Sequence, residues 1–266
     1  MAGCCNDSSN HVVVMVRHGQ SEWNRQNIFS GWVDIGLSPK GKHEAIAAGV
    51  TIKNSGYKFH IAYTSVLTRA EVTLDTILNR IDQPNLEVVR SWRLNERHYG
   101  ALTGLSKTET ANKFGEEQVK LWRRSYDVPP PPMQEDHPYY KQIREDPRYA
   151  EGPDDGEFPS SESLKMTSER TLPFWKQTIG PEVRSGKRVL IVSHGNSLRS
   201  IIKHLDRISD ADINNLNLPT GIPFVYTLDD KLHPLPGESM KFLGDEAVIK
   251  KAIEDVKNQR RSTLKK

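Results

Sequence analysis

The sequence predicts an α/β fold: a mostly parallel central sheet flanked by helices on both faces, with a helical and loop insertion over one end. Three observations predict it. Short β-branched apolar runs alternate along the chain with longer helix-patterned stretches, the pattern of strands joined by crossover helices. Two of these runs end alike, in Val16-Arg17-His18-Gly19 and Ser193-His194-Gly195. The alternation stops between residues 104 and 161, where proline, acidic residues and tyrosine collect.

The first ten residues are polar and are expected to form a flexible tail. His11 to Val16 is a β-branched run and reads as a buried strand. At Leu37-Ser38-Pro39 the signals turn to a helix start, with Ser38 as N-cap and Pro39 at the first helical position. The alanine-rich stretch to about Ile52 continues that helix, and Asn54-Ser55-Gly56 ends it. His60 to Thr64 is a second strand, Leu67 to Leu78 a helix, and Leu86 to Val89 a third strand. Residues from Lys107 to Trp122 are helix-patterned, and Pro129 to Pro132 then opens a loop-rich stretch. Residues 104 to 161 therefore read as an insertion acting as a lid, within a single domain over residues 11 to 252. Arg188 to Val192 is the clearest strand and leads into a helix through about Leu205; Phe224 to Leu228 supplies another strand. Residues 253 to 266 read as a flexible basic tail.

Composition narrows the function classes. The 266 residues are 36% apolar and 27% charged, which is ordinary for a globular protein and argues against wholesale disorder. No apolar run approaches the roughly 20 residues that cross a bilayer. The two cysteines, Cys4 and Cys5, are adjacent and cannot staple distant positions, which suits a reducing, cytoplasmic setting. They leave acylation open, but membrane anchoring is not expected. A net charge of +3, with arginines set singly or in pairs, suggests a local anion pocket and no nucleic-acid track.

The chemistry concentrates at strand ends. In an open parallel sheet, ligands bind beyond the carboxyl ends of the strands, so His18 and His194 can face one site from distant parts of the chain. A neutral imidazole is a competent nucleophile toward phosphorus. Phosphoryl transfer then needs charge stabilisation around the moving group, which arginine forks supply. Arg17 precedes His18, and Arg69 lies where the second strand turns into its helix. A third cluster, Trp92-Arg93-Leu94-Asn95-Glu96-Arg97-His98-Tyr99-Gly100, follows the third strand and offers Glu96 as proton donor and acceptor.

These residues together bring a family into view. Arg17-His18-Gly19-Gln20-Ser21-Glu22-Trp23-Asn24 resembles the signature of the histidine phosphatase superfamily. Phe29-Ser30-Gly31-Trp32, Glu96-Arg97-His98-Tyr99, Leu121-Trp122-Arg123-Arg124 and Leu218-Pro219-Thr220-Gly221 narrow the likeness to the 2,3-bisphosphoglycerate-dependent phosphoglycerate mutases, over about Val12 to Ala252. The resemblance implies that His18 is the phosphorylated residue, that His194, Arg17 and Arg69 stabilise the transferring group, and that Glu96 moves the proton. It implies substrate contacts from Asn24, Ser30, Gly31, Tyr99, Lys107, Arg123, Arg124, Gly195 and Asn196.

It further implies interconversion of 3- and 2-phosphoglycerate in glycolysis and gluconeogenesis, with 2,3-bisphosphoglycerate as phosphorylating primer and no metal. Minor bisphosphoglycerate synthase and phosphatase activities are expected, as is a homodimer or homotetramer. Ser21 looks like the mutase form, whereas dedicated synthases tend to carry glycine there. Gln20 stands where many members carry glutamate, which would leave the pocket less anionic.

Overall fold

The computed structural model describes residues 10–261, with side chains through 256. Cys4, Cys5 and nearly all of the expected N-terminal tail lie outside the described residues. Six strands, β1 (His11–Arg17), β2 (Ile61–Thr64), β3 (Val88–Arg90), β4 (Val189–Ser193), β5 (Pro223–Leu228) and β6 (Lys241–Phe242), form one sheet in the order β3-β2-β4-β1-β5-β6. The ladders β3/β2, β2/β4 and β4/β1 are parallel, as expected. β5 runs antiparallel to β1, and β6 antiparallel to β5, so the sheet is mixed. The reversal follows from where the chain re-enters. The Gly221 N–H donates to the Arg17 carbonyl at 2.9 Å, so β5 starts at the carboxyl end of β1 and can only run back along it.

Among the described residues ten α-helices accompany the sheet: α1 (Glu22–Arg25), α2 (Pro39–Asn54), α3 (Thr68–Arg80), α4 (Lys107–Phe114), α5 (Glu116–Arg124), α6 (Tyr140–Arg144), α7 (Leu164–Phe174), α8 (Gly180–Arg184), α9 (Gly195–Leu205) and α10 (Glu246–Arg261). Strand alternation sorts the core onto two faces. Val13, Met15, Val189 and Ile191 pack with Leu198, Ile201 and Ile202 of α9 and with Trp175, while Val14, Val16, Leu190 and Val192 pack with Ala48 and Ile52 of α2 and Leu74 and Ile77 of α3. α7 contains Pro173, which has no N–H to donate, and the helix passes through a π turn at Trp175–Ile179 before α8.

Local chemistry explains the element ends. The Ser38 hydroxyl accepts the Gly41 N–H at 3.1 Å and caps α2, with Pro39 beginning the helix. Residues 107 to 122, read as one helix, are two, broken at Gly115, whose φ of +86° suits glycine. The segment they open is tied to the sheet domain: Lys107 N–H donates to the Asn27 carbonyl, and Phe29 pairs its backbone with Gly104 and Leu105. It shares its apolar contacts with Phe29, Trp32 and Trp92.

From residue 253 onward the chain was expected to be a flexible tail, yet α10 runs on to Arg261. Its polar composition hides an i, i+4, i+8 row of Val248, Ala252 and Val256. That row faces a groove lined by Lys40, Glu44 and Ala47 of α2 and by residues 219–222. The remaining residues, 262–266, lie outside the described ones.

Candidate active site

The parallel ladders bring the two histidines together. Arg17 pairs with Ser193 in register, and the His18 N–H donates to the Ser193 carbonyl at 2.9 Å. The His18 and His194 rings meet edge to face with centroids 4.8 Å apart, and both side chains are buried. His18 Nδ1 lies 2.6 Å from the Gly19 carbonyl oxygen. A carbonyl only accepts, so Nδ1 carries the hydrogen and Nε2 keeps its lone pair for a phosphorus atom. His194 Nε2 shares a hydrogen with the Ser65 hydroxyl at 2.7 Å, while its Nδ1 is buried without a hydrogen-bond partner among the described residues.

Both imidazoles are held neutral. Burial, followed by the Arg69 charge, lowers each pKa well below the ordinary value, and Arg17 adds to this for both. The arginines are themselves fixed by backbone. Arg69, in the first turn of α3, donates to the Gly31 carbonyl at 2.8 Å and the Val33 carbonyl at 3.0 Å. Arg17 donates to the Leu218 carbonyl at 2.7 Å. These are neutral acceptors, so the cationic charge stays available to an anion.

Glu96 faces this pair from the turn after β3. Its Oε1 accepts the Arg97 N–H at 2.8 Å, the Asn196 side-chain N–H at 2.7 Å and the Asn196 backbone N–H at 3.2 Å. A methyl group added at Gly195 would stand 3.5 Å from Arg17 Nε and 3.7 Å from Glu96 Oε2, so the space beside Gly195 lies between base and cation. The turn is clamped from below. Arg170 forms a buried pair with Glu162, at 2.6 and 2.9 Å, and donates to the carbonyls of Trp92, Arg93, Asn95 and Glu96. Glu162 in turn accepts the His98 N–H at 2.7 Å.

Above these groups is a cleft lined by Arg17, Asn24, Glu96, Tyr99, Lys107, Arg123, Arg124, Gly195 and Asn196, all named from the sequence. Lys107 comes from α4 and Arg123 and Arg124 from α5. Burial, then the neighbouring Arg123, Arg17 and Arg124 charges, pushes the Lys107 amine down to about 7. His18, His194 and Arg69 lie outside this lining, below it. Ser30 and Gly31 also lie outside: Gly31 serves Arg69 through its carbonyl, and the Ser30 hydroxyl is buried without a hydrogen-bond partner among the described residues. Ser21 accepts the Asn24 N–H at 3.1 Å while Asn24 accepts its N–H, a reciprocal cap that orients Asn24 toward the cleft. Gln20, expected to alter the pocket charge, instead accepts the hydroxyl of Ser38 at 2.9 Å and is absent from the cleft lining.

Sequence reasoning missed several participants. Arg199 lines the cleft one turn beyond Asn196, and helical spacing from the Gly195-Asn196 pair was the available signal. Val256 lines it from α10, hidden by the reading of that segment as a tail. Arg97 is wholly buried, set 4.8 Å from the Tyr99 ring centroid, with Nε and Nη1 lacking partners among the described residues. Arg170, Glu162 and Ser65 carried no local signal, because the site residues they support, Glu96, His98 and His194, lie tens of residues away. Among the described residues no group of three or more His, Cys, Asp or Glu could hold a metal ion. None of the described helices is long and apolar enough to cross a membrane.

A neutral histidine at the end of a parallel strand, backed by a second histidine and two fixed arginines, is an arrangement suited to an anionic phosphoryl group. The chain belongs to the Histidine phosphatase superfamily (branch 1), whose sequence profile it matches over residues 13–142 and 137–231. Among solved structures it is similar to a phosphoglycerate mutase from Bacillus anthracis, with 21% identity, a TM-score of 0.62, and 92% of this chain and 98% of that one covered. It is also similar to a mycobacterial glucosyl-3-phosphoglycerate phosphatase, with 20% identity, a TM-score of 0.62, and 88% and 97% covered. A putative alpha-ribazole-5'-P phosphatase from Escherichia coli has 17% identity, a TM-score of 0.63, and 88% and 96% covered. At these identities the likeness establishes the shared α/β fold.

Proposed function

We propose that the protein is a 2,3-bisphosphoglycerate-dependent phosphoglycerate mutase that interconverts 3- and 2-phosphoglycerate. The observation that carries the reading is the charge of the cleft. Among the described residues Arg17, Lys107, Arg123, Arg124 and Arg199 line it against one carboxylate, that of Glu96. That balance suits a small ligand with a carboxylate and two phosphates better than a simple monoester. The primer, when bound, supplies the phosphoryl group that loads His18.

His18 then acts through Nε2, held in the correct tautomer by Gly19. Arg17, Arg69 and the free Nδ1 of neutral His194 surround the place where charge spreads in the transition state. Glu96 takes the proton from the attacking hydroxyl and returns it to the leaving oxygen. Its Oε1 is occupied by three donors, so Oε2, on the Gly195 side, is the oxygen that carries the proton. The α4–α5 segment and α10 border the cleft and would exclude water, which otherwise hydrolyses phosphohistidine. Minor synthase and phosphatase activities follow from incomplete exclusion. A homodimer or homotetramer in the cytoplasm is part of the same proposal.

A plain phosphatase is the second reading, because the alpha-ribazole-5'-P phosphatase and the glucosyl-3-phosphoglycerate phosphatase share the fold. One assay separates them: 3-phosphoglycerate conversion with and without 2,3-bisphosphoglycerate, in a chelator, for wild type and His18→Ala. Primer-stimulated, chelator-resistant formation of 2-phosphoglycerate, abolished in His18→Ala, is the expected result. Phosphate release without isomerisation would establish the phosphatase, and full activity in His18→Ala would overturn both.

A further inference from the structure

Arg199 lies on α9, three residues after Asn196, and its guanidinium Nη1 donates to Asn196 Oδ1 at 3.0 Å. Its Nη2 donates to the Ile213 carbonyl, which anchors the fork from the other side. A guanidinium has donors and no acceptor. The oxygen of the Asn196 amide must therefore face Arg199, and its NH₂ must point the opposite way, to Glu96 Oε1 at 2.7 Å.

We propose that Arg199 is a positioning residue that fixes the Asn196 amide against Glu96, and so keeps the Glu96 carboxylate turned with Oε2 toward the reacting oxygen. The proposal rests on the acid–base role given above to Glu96. When His18 Nε2 attacks an alkyl phosphate, the N–P bond forms, the P–O bond breaks, and the departing oxygen takes a proton from Glu96 Oε2. Without Arg199 the Asn196 oxygen loses the donor that anchors it, and the NH₂ that holds Glu96 Oε1 is no longer fixed from behind. The amide and the carboxyl then shift together, and Oε2 leaves its delivering position.

The test exploits leaving groups. An alkoxide needs the proton as it leaves, whereas p-nitrophenolate departs as a stable anion. Single-turnover phosphorylation of His18 is measured with 2,3-bisphosphoglycerate and with p-nitrophenyl phosphate, and the ratio of the two rates is followed. Arg199→Met lowers the ratio by about tenfold, a part of the roughly 10²–10⁴-fold that general acid catalysis supplies. Arg199→Lys, which keeps a donor, recovers part of it. In a Glu96→Gln background Arg199→Met lowers the ratio no further, since the residue acts through Glu96. Independently of turnover, the Asn196 side-chain amide, assigned by its loss in Asn196→Asp, exchanges its protons faster in Arg199→Met.

Equal losses with both donors, an additive effect on Glu96→Gln, or an unmoved Asn196 amide would each overturn the proposal. If Glu96→Gln leaves the ratio where it was, the acid role of Glu96 fails first. If Glu96→Gln lowers it and Arg199→Met does not, only the positioning role fails. Should Arg199→Met not fold by far-ultraviolet circular dichroism, Arg199→Lys takes its place in each comparison, with a smaller fall expected and no fall overturning the role.

Discussion

A nucleophilic imidazole must be neutral, and His18 is kept so by burial and by the charges of Arg69 and Arg17. The sign of its pH dependence follows. Lowering the pKa of a base extends its neutral form to lower pH, so the acid limb for phosphorylation of His18 lies well below 6.5. Rapid-quench phosphorylation by p-nitrophenyl phosphate between pH 5 and 8 checks this, and a limb centred at 6.5 would contradict it. Arg69→Gln removes the second-largest cause, so its limb moves to higher pH even as the rate falls. The pair His18 and His194 was legible because each ends a β-branched run and precedes glycine. Ser65, which orients His194, sits in a turn with no such marker, and only the β2/β4 pairing brings it within 2.7 Å.

Elements decide who reaches the cleft. α4 and α5 deliver Lys107, Arg123 and Arg124 from an insertion, and Gly115 sets the angle between the helices. Its φ of +86° and ψ of 144° lie in a region nearly closed to other residues, although an added Cβ would meet nothing within 4 Å. Gly115→Ala is thus a pure backbone change, expected to cost about 1–3 kcal/mol, to be read from urea unfolding midpoints. The Lys107 amine, pushed down to about 7, loses its charge as pH rises through that value. KM for 3-phosphoglycerate therefore rises from pH 7 to 8.5, and Lys107→Arg flattens the rise because a guanidinium stays protonated. A KM with the same slope in both proteins would remove Lys107 from substrate binding. Helix patterning showed that this segment was helical, but the kink and α10 were hidden: Gly115 inside a helical pattern reads as tolerated, and α10 is mostly polar outside one narrow row.

At the scale of the molecule, buried neutral histidines make stability depend on pH. Burial brings the folded-state pKa of His98 down to about 4. The unfolded chain, near the ordinary 6.5, binds the proton first, so stability is full above 6.5 and is lost as pH falls from there toward 4. Linkage puts this loss on the order of 3 kcal/mol for His98 alone, with His18 and His194 adding in the same direction. Urea titrations at pH 7.5, 6 and 5 should show the midpoint falling. His98→Gln, whose amide oxygen can accept the Gly100 N–H that His98 Nδ1 now takes, should show a shallower fall. An unchanged slope would mean that other groups govern acid unfolding.

The sequence by itself determined the strand and helix rhythm, the site at the carboxyl edge of the sheet, and the residue types that meet there. Those follow from short-range facts: period-two apolar runs, caps, turns, and motifs a few residues long. Tertiary structure decided the reversal of β5, the packing of α10 beside the cleft, and the burial that neutralises His18, His194 and His98. It also decided the supports behind Glu96, where Arg170 reaches back 74 residues to the Glu96 carbonyl and Asn196 reaches back 100 to its carboxylate. Such contacts depend on which surfaces the folded sheet brings together, and desolvation and hydrogen-bond geometry exist only once it has done so.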